Sequence, residues 1–344
     1  MMIVRPITAA DHDALWHIAE KTGSGFTSLQ PNASSVKKKL TRALASWQEI
    51  PPDEALYLLV MENLLTGQVV GVCGIESAIG LSAPCYNYKV STNIHVSKEL
   101  DMRIRHEILT VCSDHTGYSE LCTLFLDPEY RHSNNGYLLS KSRLLFLAAH
   151  PERFSNNIIA EMRGYSDSEG HSPFWEALGR HFFAVDYDTV DLQVSKNKDF
   201  ITELMPRHPV YVNLLPEKAQ LVIGKTHNNT VAARKILENE GFRYTGYVDI
   251  VDAGPLLETP VDSIHTVRES SLYRVNINPY TVRPESRRSC LVANEKLNKF
   301  RCIIGHFSFE TPDVINLTPA QAEALLVSEG NLIRIVPMVK KVRT

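Results

Sequence analysis

Arg131, Asn134 and Gly136 stand in a polar turn between an apolar β-like run, Glu120 to Asp127, and a strongly apolar helical run from near Gly136 to about Ala149. A strand, a loop and a helix in that order can hold a diphosphate. Backbone N–H groups of the loop point inward at the helix N-terminus, where the partial positive charge of the peptide dipoles lies. Such a loop must let backbone approach phosphate, which favours Gly, and after it Asn, over bulky residues. The main-chain amides from Tyr130 to Tyr137 are therefore the candidate cradle, with Arg131, Asn134, Gly136 and Tyr137 contributing to it. Proton transfer near neutral pH calls for histidine. The chain has 13. His227 stands out, just ahead of a helix that ends at Gly241-Phe242, with His115 and His171 as rivals.

These residues need a frame. Ile3 to Arg5 reads as a strand, and Thr8 with Asp11 caps the helix that follows. Leu15, Ile18 and Ala19 give that helix an apolar face, and Gly23 ends it. A second helix from about Asn32 repeats Val36, Leu40, Ala43, Leu44 and Trp47 at helical spacing and stops at Pro51-Pro52. Leu56 to Glu62 and Gln68 to Glu76 make a hairpin around Thr66-Gly67, and a further strand falls within Tyr86 to Val96. The helix after Gly136 has little polar face, so it should be buried. Ile158 to Met162 is a strand, and Ser172-Pro173 opens a short helix.

About 184–251 reads as an elaboration, with helices near Asp199 to Leu204, from Pro216, and from about Asn229 to Asn239, the last closed by Gly241. After Gly254-Pro255 the texture changes. Cys290 to Asn294, Phe300 to Phe307 and Leu332 to Val336 are strands, Asn276 to Arg288 is a polar loop, and Thr318-Pro319 starts a helix. The expected division is 1–254 for a catalytic domain and 255–344 for a small β-rich one.

The 344 residues are more than one ordinary core needs. A formal net charge of -3 gives no ground for nucleic acid or an anionic membrane as partner. Lys37-Lys38-Lys39 reads as a solvated helix face and Lys340-Lys341 as a ragged tail. The six cysteines form no CxxC pair, and several lie in apolar runs, so they read as buried thiols and not as a disulfide frame or metal site. No apolar signal core opens the chain, and no segment is long enough to span a bilayer, so the cytoplasm is expected.

The order strand, two helices, hairpin, strand, diphosphate loop, buried helix, strand, helix resembles the acyl-CoA N-acyltransferase (GNAT-like) superfamily. Its loop has Gln or Arg, two residues, Gly, one residue, then Gly or Ala; this chain has Arg131-x-x-Asn134-x-Gly136, with Asn134 as the departure. The resemblance implies an α+β fold with a mixed sheet flanked by helices, and an acyl-CoA as the diphosphate ligand. It implies that the strand before the loop parts from its neighbour and that the pantetheine arm adds to the free edge. Leu124 and Leu126 would then offer main-chain groups, and an amide near Leu124 would serve the oxyanion. Many members carry a Tyr before a Gly-Phe helix end as general acid. The corresponding slots here hold Leu237 and Trp175, so another acid is needed.

More narrowly, Pro84-Cys85-Tyr86-Asn87-Tyr88, Ser113-Asp114-His115-Thr116-Gly117, Ser119 to Pro128, Asn135 to Arg143, Ala160-Glu161-Met162-Arg163-Gly164 and Glu240-Gly241-Phe242-Arg243-Tyr244 resemble the arginine N-succinyltransferase family. Lys21-Thr22-Gly23, Ser172 to Trp175 and Leu291 to Glu295 extend the likeness over nearly the whole chain. It implies succinyl-CoA as co-substrate, with no tightly bound cofactor or metal, and the α-amine of L-arginine as acceptor, in the first step of an arginine degradation route. It also implies His227 as proton donor. Glu120, Glu161 and Arg163, in strand segments near the expected parting, are the candidates for holding the acceptor's guanidinium and carboxylate. Two alternatives stay open: another amine such as ornithine or another acyl donor, and a chain that works only with a paralogous subunit or as a homo-oligomer.

Overall fold

The structure, a computed structural model, describes residues 1–22, 26, 28–49, 51–194, 199–206, 208–278 and 288–338. β1 (Met2–Pro6) passes through a short 3-10 turn into α1 (His12–Thr22), and α2 (Ala33–Ser46) follows. The turn into α1 is a capping box between Thr8 and Asp11, and Arg5 grips the Asp11 carboxylate from β1. Asn32 caps α2 by accepting from Ser35 N–H at 3.0 Å. Next come β2 (Leu56–Asn63), β3 (Gln68–Glu76), β4 (Asn87–Ser97), β5 (Met102–Cys112), β6 (Ser119–Leu126), α3 (Asn135–Ala149) and β7 (Asn157–Glu161).

β2 shows how the layers form. Its side chains alternate between faces. Leu56, Leu58 and Val60 enter the core under α1 and α2, while Tyr57, Leu59 and Met61 enter the core under α3. Both faces are covered, so the strand reads as an unbroken apolar run.

The middle of the chain holds α4 (Arg180–Phe183), α5 (Tyr187–Val194), α6 (Asp199–Leu204), β8 (Val210–Tyr211), α7 (Glu217–Gln220) and α8 (Val231–Asn239). β9 (Arg243–Asp249), β10 (Pro255–Pro260) and α9 (His265–Glu269) complete the first part. β11 (Ser271–Ile277), β12 (Arg288–Asn294), β13 (Cys302–Thr311), β14 (Val314–Leu317), α10 (Pro319–Ala324) and β15 (Leu332–Pro337) make the last. The strands of the first part lie in the order β1-β2-β3-β6-β7-β10-β9-β4-β5-β8. The last five close on themselves, because β12 pairs both β15 and β13 while β11 pairs β15 and β14. The result is a small barrel without a free edge. β1 joins it to the main sheet through Val4 opposite Cys302. Phe300 packs its ring on Phe146 of α3, so the two parts share a core.

Three expectations change. The division after Gly254 falls inside the β9–β10 hairpin, and Pro255–Pro260 lies in the main sheet between β7 and β9. The physical boundary is the end of α9, where the barrel strands begin. β5, β8, β9, β10, β11 and β14 were not anticipated: the first pairs β4 along its whole length, and the others are short or pair with distant strands. Leu44 is 36% exposed and stays out of the core that its neighbours Leu40 and Ala43 enter. Gly23, Lys340 and Lys341 lie outside the described residues. All six cysteines are free thiols, and five are buried. Among the described residues, no helix is long and apolar enough to cross a membrane.

Candidate active site

The turn between β6 and α3 is built by local hydrogen bonds. Asp127 accepts from Glu129 N–H at 3.2 Å and pairs with Lys21 of α1, and that pairing holds its carboxyl below the usual range. Asn135, buried, donates its side-chain amide to the Tyr130 carbonyl at 3.0 Å. Arg131 donates Nε–H back to the Leu126 carbonyl at 3.0 Å. Between these ties, Ser133 and Asn134 take left-handed backbone, with φ of 52° and 65°. Asn is tolerated there because its short polar side chain reduces the steric penalty. The first hydrogen bond into α3 runs from Leu138 N–H to the Asn134 carbonyl, so the amides of Gly136 and Tyr137 lie ahead of the ladder. A Cβ on Gly136 would meet nothing within 4 Å, so the space where its side chain would go is open.

Upstream, β6 parts from β7. The two pair in parallel only at Ser119 with Ile158 and Glu120 with Ile159. Beyond that point β7 keeps its other neighbour, β10. On the β3 side of β6, Thr123 and Leu124 together oppose Cys73, which is a β-bulge. Thr123 carries φ of 52°, rare for a β-branched residue, and its buried Oγ1 has no hydrogen-bond partner among the described residues. A cavity of about 190 Å³ fills the gap. Leu124, Glu120, Glu161 and Arg163 line it together, facing Ala233 and Leu237 of α8. Leu126 lies outside that lining, at the end of β6 beside the Arg131 tie. A wider trough of about 1120 Å³ shares Glu120 and Glu161 with the cavity, so these two carboxylates stand where the spaces meet.

Behind Glu161 runs a polar chain. Asn87, fully buried, donates its amide to Glu161 Oε1 at 3.1 Å. Its Oδ1 faces His115 Nδ1 at 3.2 Å, and His115 Nε2 faces Glu258 Oε2 at 3.0 Å. His115 therefore fixes the Asn87 amide and is occupied at both nitrogens. His171 lies on the surface between Asp167 and Glu169. Neither rival reaches the cavity.

His227 is half-buried at the cavity's margin: its neighbours Asn229 and Thr230 line the space, while its own ring is outside the lining. Its backbone N–H donates to the Arg163 carbonyl at 2.8 Å, and its ring Nδ1 accepts from Asn229 N–H at 3.2 Å. An accepting Nδ1 leaves the neutral ring's proton on Nε2. Burial, then the nearby Arg163 cation, pull its pKa below 6.5.

Three features escaped the sequence reading. Arg143 lines the cavity from α3, and its signal was a charged residue in a helix otherwise read as buried. The Thr123 bulge has no signature in residue type. The Asn87–His115–Glu258 chain joins β4, the loop before β6 and β10, which only the fold brings together.

Comparison with known proteins completes the picture. The family model described as the arginine N-succinyltransferase beta subunit matches residues 2–266, and the model for that subunit's C-terminal domain matches 276–337. The arginine N-succinyltransferase of Shigella sonnei is 45% identical over 346 residues, with both chains fully covered. That of Escherichia coli O139:H28 is 44% identical over the same span. The solved structure of arginine/ornithine succinyltransferase subunit AI from Pseudomonas aeruginosa is 32% identical, superposes with a TM-score of 0.89, and covers 99% of each chain. The chain belongs to the arginine N-succinyltransferase family, and it is an acyltransferase of that family.

Proposed function

We propose that the protein moves the succinyl group of succinyl-CoA to the α-amine of L-arginine on a GNAT-like frame. The products are N2-succinyl-L-arginine and CoA, and the reaction opens arginine degradation by the succinyltransferase route. The observation that carries this reading is the parting of β6 from β7 after Glu120, at a strained Thr123 and upstream of the left-handed turn into α3. The amides of Ser133, Asn134, Gly136 and Tyr137, with Arg131 beside them, receive the diphosphate, while the Asn135 amide is tied to the His132 carbonyl at 3.0 Å. The pantetheine arm lies along β6 at Leu124 and Leu126, on the side that β7 has left. An amide near Leu124 supports the oxyanion.

The acceptor enters from the wide trough. Glu120 and Glu161 take its guanidinium in fork geometry, with Asn87 steadying Glu161, and Arg163 takes its carboxylate. The α-ammonium first loses a proton to water. The amine then attacks the thioester carbonyl, the C–S bond breaks, and the proton released by the new amide nitrogen passes to the departing thiolate, which the neutral His227 ring steadies through a hydrogen bond from Nε2–H. A thiol-release assay tests the reading: CoA should appear only when succinyl-CoA and arginine are both present. Folded protein that releases none ends it, and ornithine in place of arginine measures the strictness of the acceptor site. The words "beta subunit" and "subunit AI" in the names of its relatives favour a second reading, a chain that needs a paralogous partner or its own copies. Turnover by the purified chain at known molecular mass decides between them.

A further inference from the structure

Arg143 is a buried cation without a counter-ion. Its residue is 1% exposed, two turns into α3. Its guanidinium donates to three neutral acceptors: the Ser140 carbonyl at 3.1 Å, Ser140 Oγ at 3.1 Å and the Cys122 carbonyl at 3.4 Å. Among the described residues, no carboxylate pairs with it. Three part-buried arginines elsewhere do have one: Arg5 with Asp11 and Glu62, Arg42 with Glu76, Arg334 with Glu295. An unpaired charge held away from water is costly, and a guanidinium has five N–H donors, so this one has capacity left over. It also lines the cavity between β6 and β7.

We propose that Arg143 binds the free carboxylate of the dicarboxylic acyl group and so selects succinyl over neutral acyl donors. This deepens the reading above and rests on it. The position is right for the arm's length. Arg143 contacts the Cys122 carbonyl, two residues upstream of Leu124 on β6. Two residues of extended chain span at most about 7 Å, and the left-handed bulge at Thr123 shortens that. The three C–C bonds of a succinyl arm reach ~4 Å, and a charge-assisted hydrogen bond adds about 2.8 Å. A thioester carbonyl at Leu124 therefore places the far carboxylate on the guanidinium. The alternative source of a carboxylate, the acceptor amino acid, lies nearer Arg163 and the trough that Glu161 borders.

The test compares succinyl-CoA with butyryl-CoA, in which a methyl replaces the carboxylate. Wild type should prefer succinyl-CoA by roughly 100-fold or more in kcat/KM. Arg143→Met should lose that preference through the succinyl-CoA value alone, leaving butyryl-CoA within a few-fold and the KM for arginine unchanged. Arg143→Lys, which keeps the charge, should retain part of the preference and serves if the Met variant does not fold. Equal use of both thioesters by wild type overturns the proposal. So does an equal loss with both donors in the variant, or a loss that appears as a raised KM for arginine. Wild type that releases no thiol with any donor would count against the acyltransferase reading itself, a separate failure.

Discussion

His227 and Asn229 fix a proton on one nitrogen, and the kinetics should report it. Removing the ring, as His227→Ala, should lower kcat by about 10²- to 10⁴-fold and leave the KM for succinyl-CoA nearly unchanged. A steady-state comparison of the folded variant with wild type checks this; full turnover removes His227 from the chemistry. The ring's pKa is lowered, so Nδ1 takes up a proton only below 6.5, and then loses the Asn229 bond. The arginine α-ammonium imposes its own fall with falling pH on both proteins, so the His227 effect should appear as a further change in wild type, absent from His227→Ala, only on the acid side of that value. His227 was singled out by a polar loop ahead of a Gly-Phe helix end and by the family resemblance, and the fold sets its ring at the cavity's margin, outside the lining. Glu120, Glu161 and Arg163 were legible as strand charges, and the fold gathers them around one space. Arg143 carried only the signal of a charge in a buried helix, because nothing in the order of residues says that this side chain will stop at a strand carbonyl.

The β6–α3 segment is the element on which the proposed diphosphate site depends. Gly136 has free space where a side chain would go, so Gly136→Val should leave thermal unfolding almost unchanged while raising the KM for succinyl-CoA at least about 10-fold through contact with the diphosphate. Unchanged affinity would show that the turn does not hold the cofactor. The elements themselves were readable where local signals are strong. The Thr8 box, the Asn32 cap, the Thr66-Gly67 hairpin and the Thr318 box each satisfy their own backbone groups. Strands without such signals were missed. β14 has four residues, and β9 and β10 owe their place to partners far along the chain. β5 carries charges at alternate positions because its hairpin with β4 leaves much of the pair exposed.

The barrel and the sheet are one cooperative body if their shared core means what it should. Phe300→Ala removes the ring that rests on Phe146 and should cost about 3–5 kcal/mol. Denaturant unfolding should show one transition moved to lower midpoint, with no separate step for the barrel. A second effect concerns pH. His150 is held neutral by burial, and its Nε2 has no partner among the described residues. Its folded pKa lies below the unfolded 6.5, so the unfolded chain binds more protons and stability falls as pH drops below that value. Asp252, raised mainly by burial and then by Asp249, has the opposite slope. The measurable quantity is thus a difference: as pH falls below 6.5, His150→Phe should lose less of its melting temperature than wild type. The bulge on β6 has a reach of its own. Before it, Leu121 points to the α3 side and Cys122 to the α1–α2 side; after it, Phe125 and Leu126 have traded odd for even. One residue has reversed the strand's parity. A side chain at 123 can be exchanged, but losing that residue would turn the remainder of the strand inside out, so this segment tolerates respelling and not a change of length.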